Sequence, residues 1–168
     1  MTDAYDWSRF AVTMHYAAPR ERVFDYWASA IGLQSFFIGE AQHVDADGNP
    51  RAAEERAQTG DSYTWEFLHG FTLEGEFLEV VPDERVVFTF GGDMRVEVSL
   101  HDAEGAIEVK LEQTGCATED PARAWSHVNC RSCWIYFMTN LKGVLEHGTD
   151  IRDFEHPERN DSVSIGWS

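Results

Sequence analysis

A period-two alternation of apolar and polar side chains runs through the middle of the chain, from about residue 60 to residue 114. Short turn sequences interrupt it at Pro82-Asp83-Glu84, at Gly91-Gly92-Asp93 and at 102–105. Alternation repeated through tight turns is typical of an antiparallel meander with one apolar face and one solvent-exposed face. Because an apolar sheet face must be buried against another layer, this pattern requires a second element that covers it.

The covering element is a long helix predicted near the C-terminus. Asp120 suits the N-cap, Pro121 suits the first turn, and Gly148 suits a left-handed stop after His147. About 27 helical residues would extend roughly 40 Å, which matches the roughly 40 Å diameter expected for a compact domain of this length. The helix should therefore cross the whole domain. Its predicted apolar stripe consists of Trp134, Met138, Leu141 and Leu145, extended less regularly by Trp125, Val128 and Ile135.

The N-terminal part supplies further elements. Residues Arg9 to Tyr16 alternate as a strand, and two short helices follow, one after Pro19 and one over Ile31 to Phe37. A short strand is predicted over Glu40 to Val44, before a turn at 45–50.

Two polar segments are harder to place from their sequence. The charged stretch 51–59 is predicted to be a solvated loop, and an extra strand or a flap over a cavity mouth are the alternatives. Residues 151–168 are predicted to be a loosely packed tail. The whole chain, 1–168, is predicted to be a single domain with its core at about 9–148 and a C-terminal tail at 149–168.

The order of these elements predicts an α+β fold. A curved antiparallel sheet of six to seven strands wraps around the long C-terminal helix, with two short helices after the first strand. Five sequence motifs mark this layout in chain order. They are Ala18-Pro19-Arg20-Glu21-Arg22-Val23-Phe24, Gly60-Asp61-Ser62-Tyr63-Thr64-Trp65, Gly75-Glu76-Phe77-Leu78-Glu79-Val80-Val81-Pro82, Val86-Val87-Phe88-Thr89-Phe90, and the stretch from Cys133 to Gly148.

In order and content these motifs resemble the helix-grip fold of the SRPBCC superfamily, the Bet v 1-like and START-related proteins. Within that superfamily the chain is most similar to the group related to the C-terminal domain of the Hsp90 ATPase activator. The resemblance implies the fold but no shared catalytic motif, so it supplies no catalytic residue. It implies three kinds of role, because such proteins include ligand carriers, polyketide-cyclase-like enzymes and chaperone partners.

The charge of the chain excludes some partners. A net charge of −17 argues against nucleic acid, because phosphate backbones favour Lys and Arg, and against anionic membranes. No stretch approaches the roughly 20 apolar residues of a membrane span, and Met1 to Arg9 lacks the apolar core of a signal peptide. An odd number of cysteines, Cys116, Cys130 and Cys133, without disulfide spacing fits a reducing cytoplasm. A cytoplasmic, acidic protein is therefore expected.

The interface between sheet and helix is the candidate site. A curved sheet cannot follow a straight helix along its full length, so a mostly apolar cavity is expected there, the usual form of a ligand site. The alternative is that side chains fill the space. The residues expected to line the cavity are Trp27, Phe37, Trp65, Phe67, Phe77, Phe88, Phe90, Trp134 and Met138. His127, Asn129 and Cys130 are candidate polar groups inside it, unless they point outward or are held elsewhere.

His127, Cys130 and Cys133 match metal ligands by type but not by position. Steps of three residues on a helix turn by about 300° each, so His127 and Cys133 diverge by about 120°. That divergence suits a tetrahedral zinc site poorly, and we predict no metal and no other cofactor. A reactive thiolate needs a nearby cation or helix N-terminus to lower its pKa. Nothing in the sequence shows that Arg131 or His127 converges on a thiol, so unreactive cysteines are the favoured interpretation.

The leading functional hypothesis is a non-enzymatic protein that binds a small hydrophobic or aromatic molecule in the cavity. An enzyme of the cyclase, dehydratase or hydrolase kind is the first alternative, and it requires a buried titratable residue such as His127 or a cysteine facing the ligand. A protein-interaction module with a chaperone partner is the second, and it follows from the resemblance alone. The sequence leaves a homodimer open.

Overall fold

Seven strands, three α-helices and two short helical segments make up the described part of the chain, residues 4–160 of a computed structural model. The strands are β1 (Arg9–Tyr16), β2 (Glu40–Val44), β3 (Ser62–Glu66), β4 (Thr72–Val81), β5 (Arg85–Thr89), β6 (Arg95–Ala103) and β7 (Ala106–Thr114). The helices are α1 (Arg20–Ala28), α2 (Ala30–Gln34), a π-helical segment (Ala124–Asn129), α3 (Cys130–His147) and a 3-10 turn (Pro157–Arg159).

All seven strands belong to one antiparallel sheet in the spatial order β1-β7-β6-β5-β4-β3-β2. Strands β3 to β7 form the predicted meander, and β2 extends it by pairing with β3. Strand β1 pairs with β7, from Arg9 opposite Thr114 to Tyr16 opposite Ile107. The helices α1 and α2 connect the two edge strands, β1 and β2, and α3 packs against the sheet. The predicted helix-grip fold is confirmed.

A bulge in β4 changes the alternation that the sequence predicts there. Its pairing with β5 shifts register between Phe77 and Glu79. As a result Val80 packs against the core, whereas unbroken period-two alternation predicts that Val81 lies on the same face as Phe77. The prediction for Val81 is wrong because one extra residue in a strand moves every later side chain to the opposite face.

The C-terminal helix starts later than predicted and in a different form. Six residues of π-helix lead into the 18 residues of α3. Asp120 does not cap the helix, because its carboxylate accepts hydrogen bonds from the Arg123 side chain at 3.0 and 2.8 Å. Gly148 ends α3 in the predicted left-handed conformation, with a φ of 63°.

The regular part of the apolar stripe predicted along this helix is buried, but two of the residues predicted to extend the stripe are exposed. Its four regular members, Trp134, Met138, Leu141 and Leu145, are all buried. The extension is wrong for Trp125 and Ile135, which are 66% and 44% exposed. Trp125 lies in the π-helical segment, which does not keep the phase of a continuous α-helix. Ile135 lies in α3 itself, where it is rotated by about 100° from the buried Trp134.

The segment 51–59 is a loop attached to the α1–α2 pair. The Ala57 amide donates to the Ala28 carbonyl at 2.7 Å, and Ala57 is buried. The Arg51 guanidinium binds the buried carboxylate of Asp61 through two nitrogens. The prediction of a solvated loop therefore holds only for the exposed middle of this segment.

Arg152 fixes the chain beyond α3 to the body of the protein. Its buried guanidinium donates to the carbonyls of Ile38 at 3.0 Å and Gln34 at 2.8 Å, and it pairs with Asp150 at 2.7 Å. The prediction of a loose tail is therefore wrong for this part of the segment. Residues 161–168 lie outside the described residues. Within residues 4–160, no helix is both long and apolar enough to cross a bilayer.

Candidate functional site

A cavity of about 450 Å³ lies where the start of α3 meets the open end of the sheet. Its size falls within the range of small-molecule sites. Four parts of the chain surround it: the α2–β2 loop, the β3–β4 hairpin, the β5–β6 turn, and the π-helical segment with the first half of α3. The lining residues are Phe37, Phe67, His69, Phe71, Leu73, Phe90, Gly91, Met94, Trp125, Asn129, Cys130, Cys133, Trp134 and Phe137.

Packed aromatic rings form most of the wall. The ring of Phe37 lies 4.8 Å from Trp134, 5.3 Å from Phe67 and 5.0 Å from Phe137, measured between centroids. Phe90 lies 5.2 Å from Trp134 on the other side. These separations are those of favourable aromatic pairs. The wall is therefore a cohesive apolar surface suited to a flat apolar molecule.

The predicted lining residues fall into two groups in the structure. Phe37, Phe67, Phe90, Asn129, Cys130 and Trp134 lie on the cavity wall. Trp27, Trp65, Phe77, Phe88 and Met138 lie in the solid core, each at most 1% exposed, and do not line this cavity. The reason is local packing, since Trp65 stacks on Tyr63 at 3.8 Å and leaves no space in the middle of the sheet. The hollow is confined to the open end.

Sequence reasoning missed much of that open end. The lining residues it omitted are His69, Phe71, Leu73, Gly91, Met94, Trp125, Cys133 and Phe137. Five of them lie in or beside the turns of two neighbouring hairpins. One signal was available, because Phe71 and Met94 are large apolar residues next to tight turns, where polar residues are usual.

The π-helical segment brings Trp125 over the cavity. In an α-helix, Trp125 would be rotated by about 140° from Cys130, five residues later. The i→i+5 hydrogen bonds of a π-helix widen the turn, so a residue five positions away returns to nearly the same side. Trp125 and Cys130 accordingly line the same cavity. Short π-helical segments inside helices occur frequently at functional sites.

His127 lies on a different side of the helix. Its Nδ1–H donates to the Trp7 carbonyl at 2.8 Å, and its Nε2 accepts from the Tyr5 hydroxyl at 2.9 Å. Its ring also packs edge-on against Phe10. His127 is therefore a structural residue that fixes the N-terminal segment, and its proposed place inside the cavity is corrected. Among residues 4–160, no group of three or more His, Cys, Asp or Glu side chains could hold a metal ion.

Gln113 connects the cavity wall to the π-helical segment. This fully buried side chain accepts from the Trp134 indole N–H at 2.9 Å and donates to the Ser126 carbonyl at 3.1 Å. It also contacts the sulfur atoms of Met94 at 3.2 Å and Cys116 at 3.6 Å. One amide on β7 thus orients the indole of the wall and holds the helix above it.

The thiols of Cys130 and Cys116 are kept protonated by their surroundings. Burial raises the pKa of Cys130 to about 11, and burial also raises the pKa of Cys116. A nucleophilic thiolate requires the opposite shift. Cys130 therefore contributes a weakly polar, unreactive group to the cavity wall.

The loop that carries Phe37 is held from outside the cavity. The Asn140 side chain donates to the Phe36 carbonyl at 2.9 Å and to Asp150 at 3.0 Å. Arg152 binds the carbonyl of Ile38, on the other side of Phe37. Contacts from α3 and from the segment after it therefore set the position of one wall of the cavity.

The sequence profile of the family described as Activator of Hsp90 ATPase homolog 1-like protein matches residues 17–146. The chain belongs to this family. The match extends from the end of β1 almost to the end of α3, so it includes every element around the cavity. The resemblance inferred from the sequence motifs is thereby confirmed. No curated protein matches the chain at a significant level.

Solved structures of distant proteins share this fold. The protein SSP2350 from Staphylococcus saprophyticus is 20% identical, with a TM-score of 0.68 over 86% of this chain and 96% of that one. The Aha1 dimer from Colwellia psychrerythraea is 16% identical, with a TM-score of 0.66 over 84% and 98%. DynU16, described as a putative protein in the dynemicin biosynthetic locus, is 18% identical, with a TM-score of 0.68 over 88% of this chain and 50% of that one. At these identities the likeness establishes the fold alone.

Proposed function

We propose that this protein binds a small, largely apolar aromatic molecule in the cavity between the sheet and α3. The observation that carries the proposal is the cavity itself, about 450 Å³ in volume and lined mainly by aromatic side chains. The other aromatic residues predicted to line a cavity are packed in the core instead, so the cavity is a local feature. Transfer of an apolar ligand from water to such a wall is favourable in proportion to the area buried.

Binding is better supported than catalysis. An enzymatic site requires a base or nucleophile aimed at the ligand, and His127, the histidine predicted for that role, binds Trp7 and Tyr5 outside the cavity. Cys130 does line the cavity, but burial keeps its thiol protonated at neutral pH. His69 also lines the cavity, but it is exposed to solvent and not held in a buried position against the ligand.

A neutral fluorescent probe tests the proposal directly. N-phenyl-1-naphthylamine should bind with increased emission and should raise the melting temperature. At a free concentration of 100 times the dissociation constant, a ligand of the folded state adds about 2.7 kcal/mol to the free energy of unfolding. That gain corresponds to a shift of about 5–10 °C for a domain of this size.

A matched pair of variants locates the binding. Cys133→Phe places a ring in the cavity and should abolish probe binding without lowering stability by more than about 2 kcal/mol. Thr139→Phe places the same ring six residues further along α3, at an exposed position outside the cavity, and should bind the probe like wild type. Equal binding by both variants, or no binding by wild type across a panel of lipids and aromatic metabolites, would refute the proposal.

A second candidate role is association with a protein. The outer side of the helical layer exposes Tyr5 and Ile135, which line a separate groove of about 370 Å³, and the Colwellia relative is described as a dimer. We propose a homodimer through this face, while a chaperone partner rests on family membership alone. Light scattering tests the dimer, because Ile135→Asp should yield monomers if the face is used. A chaperone pull-down that recovers nothing would count against the other partner.

A further inference from the structure

We infer that Asn129 selects the ligand, and that the ligand is a neutral aromatic molecule carrying a carbonyl or hydroxyl oxygen that its amide binds. This inference rests on the ligand-binding function proposed above.

Among the described residues, 4–160, the Asn129 side chain has no hydrogen-bond partner, whereas the fully buried amides of the interior are satisfied. Gln113 accepts from the Trp134 indole and donates to the Ser126 carbonyl. Asn140 donates to two oxygens and accepts from the Ile151 amide at 2.8 Å. Within residues 4–160, the half-buried side chain of Asn129 makes no hydrogen bond, although it lines the cavity.

This difference has a consequence for binding. We expect water to bind the Asn129 amide in the unliganded protein, because buried polar groups without a protein partner bind ordered water. A ligand that expels that water must replace its hydrogen bonds or lose affinity. An amide offers both a donor and an acceptor, so a carbonyl and a phenolic hydroxyl are both suitable replacements.

The charge of the wall favours a neutral ligand. Among the described lining residues there is no Lys, Arg, Asp or Glu. A carboxylate or an ammonium group would therefore lose its hydration without gaining an ion pair, which is costly in an apolar site. The net charge of −17 on the chain adds to the barrier against an anion.

The other polar groups of the wall compete poorly for the ligand oxygen. The Trp134 N–H is already bound by Gln113, and the thiols of Cys130 and Cys133 are weak donors. His69 lies at the exposed end of the cavity, stacked on Phe67 with centroids 5.8 Å apart. Asn129 therefore decides where the ligand oxygen is placed.

Two probes of nearly equal shape test this. Isothermal titration calorimetry on the full chain should compare 2-naphthol, which carries a hydroxyl, with 2-methylnaphthalene, which carries a methyl group in its place. Asn129→Leu removes the amide while preserving side-chain size. We expect the ratio of the two affinities, 2-naphthol over 2-methylnaphthalene, to fall about tenfold in Asn129→Leu, the effect of one hydrogen bond in a partly desolvated site.

Two further variants serve as controls. Asn129→Ser retains a shorter polar group and should give an intermediate ratio, which also guards against a folding defect in the leucine variant. Thr139→Val makes a polar-to-apolar change on the exposed side of α3 and should leave the ratio unchanged.

The outcomes separate the two proposals. If both probes bind wild type and the ratio is the same in Asn129→Leu, the selecting role of Asn129 is refuted while ligand binding stands. If neither probe binds wild type, the ligand-binding function and the inference fail together. Two probes weakened equally by Asn129→Leu would likewise refute selection, because the change would then be steric.

Discussion

The substitution Gln113→Met tests how the cavity wall is held together. Methionine preserves the length of the side chain but removes its amide. The Trp134 indole N–H then loses its acceptor, and leaving a buried donor unpaired costs about 1–3 kcal/mol. Loss of the hydrogen bond to the Ser126 carbonyl adds about 1 kcal/mol. The free energy of unfolding should therefore fall by about 2–4 kcal/mol.

This loss is measurable in two ways. Urea unfolding followed by circular dichroism should show a lower midpoint with an unchanged slope, and calorimetry should show a melting temperature lower by about 5–15 °C. The same substitution at the exposed Gln42 of β2 is the control and should change stability by less than about 0.5 kcal/mol.

A double-mutant cycle isolates the indole contact. In a Trp134→Phe background there is no indole N–H left to satisfy, so Gln113→Met should cost about 1–2 kcal/mol less than in wild type. An additive cycle, or a Gln113→Met variant as stable as wild type, would refute the idea that this amide holds the wall. The naphthylamine probe provides an independent readout, since a reoriented Trp134 should weaken its binding.

Three other predictions follow from buried polar groups. A lysine at position 152 cannot bind two carbonyls and a carboxylate as the Arg152 guanidinium does. Arg152→Lys should therefore loosen the Phe37 loop and weaken probe binding. Unchanged affinity would show that the loop keeps its position without Arg152. Burial lowers the pKa of His43 to about 4. The folded state should therefore lose up to about 3 kcal/mol as pH falls from about 6.5 to about 4, and urea midpoints should show that His43→Gln removes this part of the pH dependence. Asp61→Asn breaks a buried ion pair and should cost about 3 kcal/mol, whereas Asp102→Asn, at an 86% exposed carboxylate, should cost less than about 1 kcal/mol.

The sequence predicted the strands well because their signal is local. The predicted bounds of β1 and β2 agree with the structure, as does the helix stop at Gly148. Alternation and turn residues are properties of neighbouring positions, so they can be found without knowing the fold. The bulge in β4 escaped the same reasoning because it is defined by the pairing of β4 with β5.

The location of the cavity depended on tertiary structure. Sequence reasoning selected inward-facing aromatics and so included Trp65 and Phe88, which the structure places in the packed core. Residues of the wall such as Phe71 and Met94 lie beside turns that meet only after the sheet has curved. Nothing in the local pattern distinguishes an aromatic residue that fills space from one that borders a void.

The sequence by itself determined that a meander must be covered by one long helix, because an alternating sheet has an apolar face that must be buried. The tertiary structure alone decided that this helix begins as a π-helix, that Trp125 and Asn129 therefore face the cavity while His127 does not, and that Gln113 joins helix to sheet. The physical reason is that helical phase and hydrogen-bond partners are set by contacts between residues far apart in the chain.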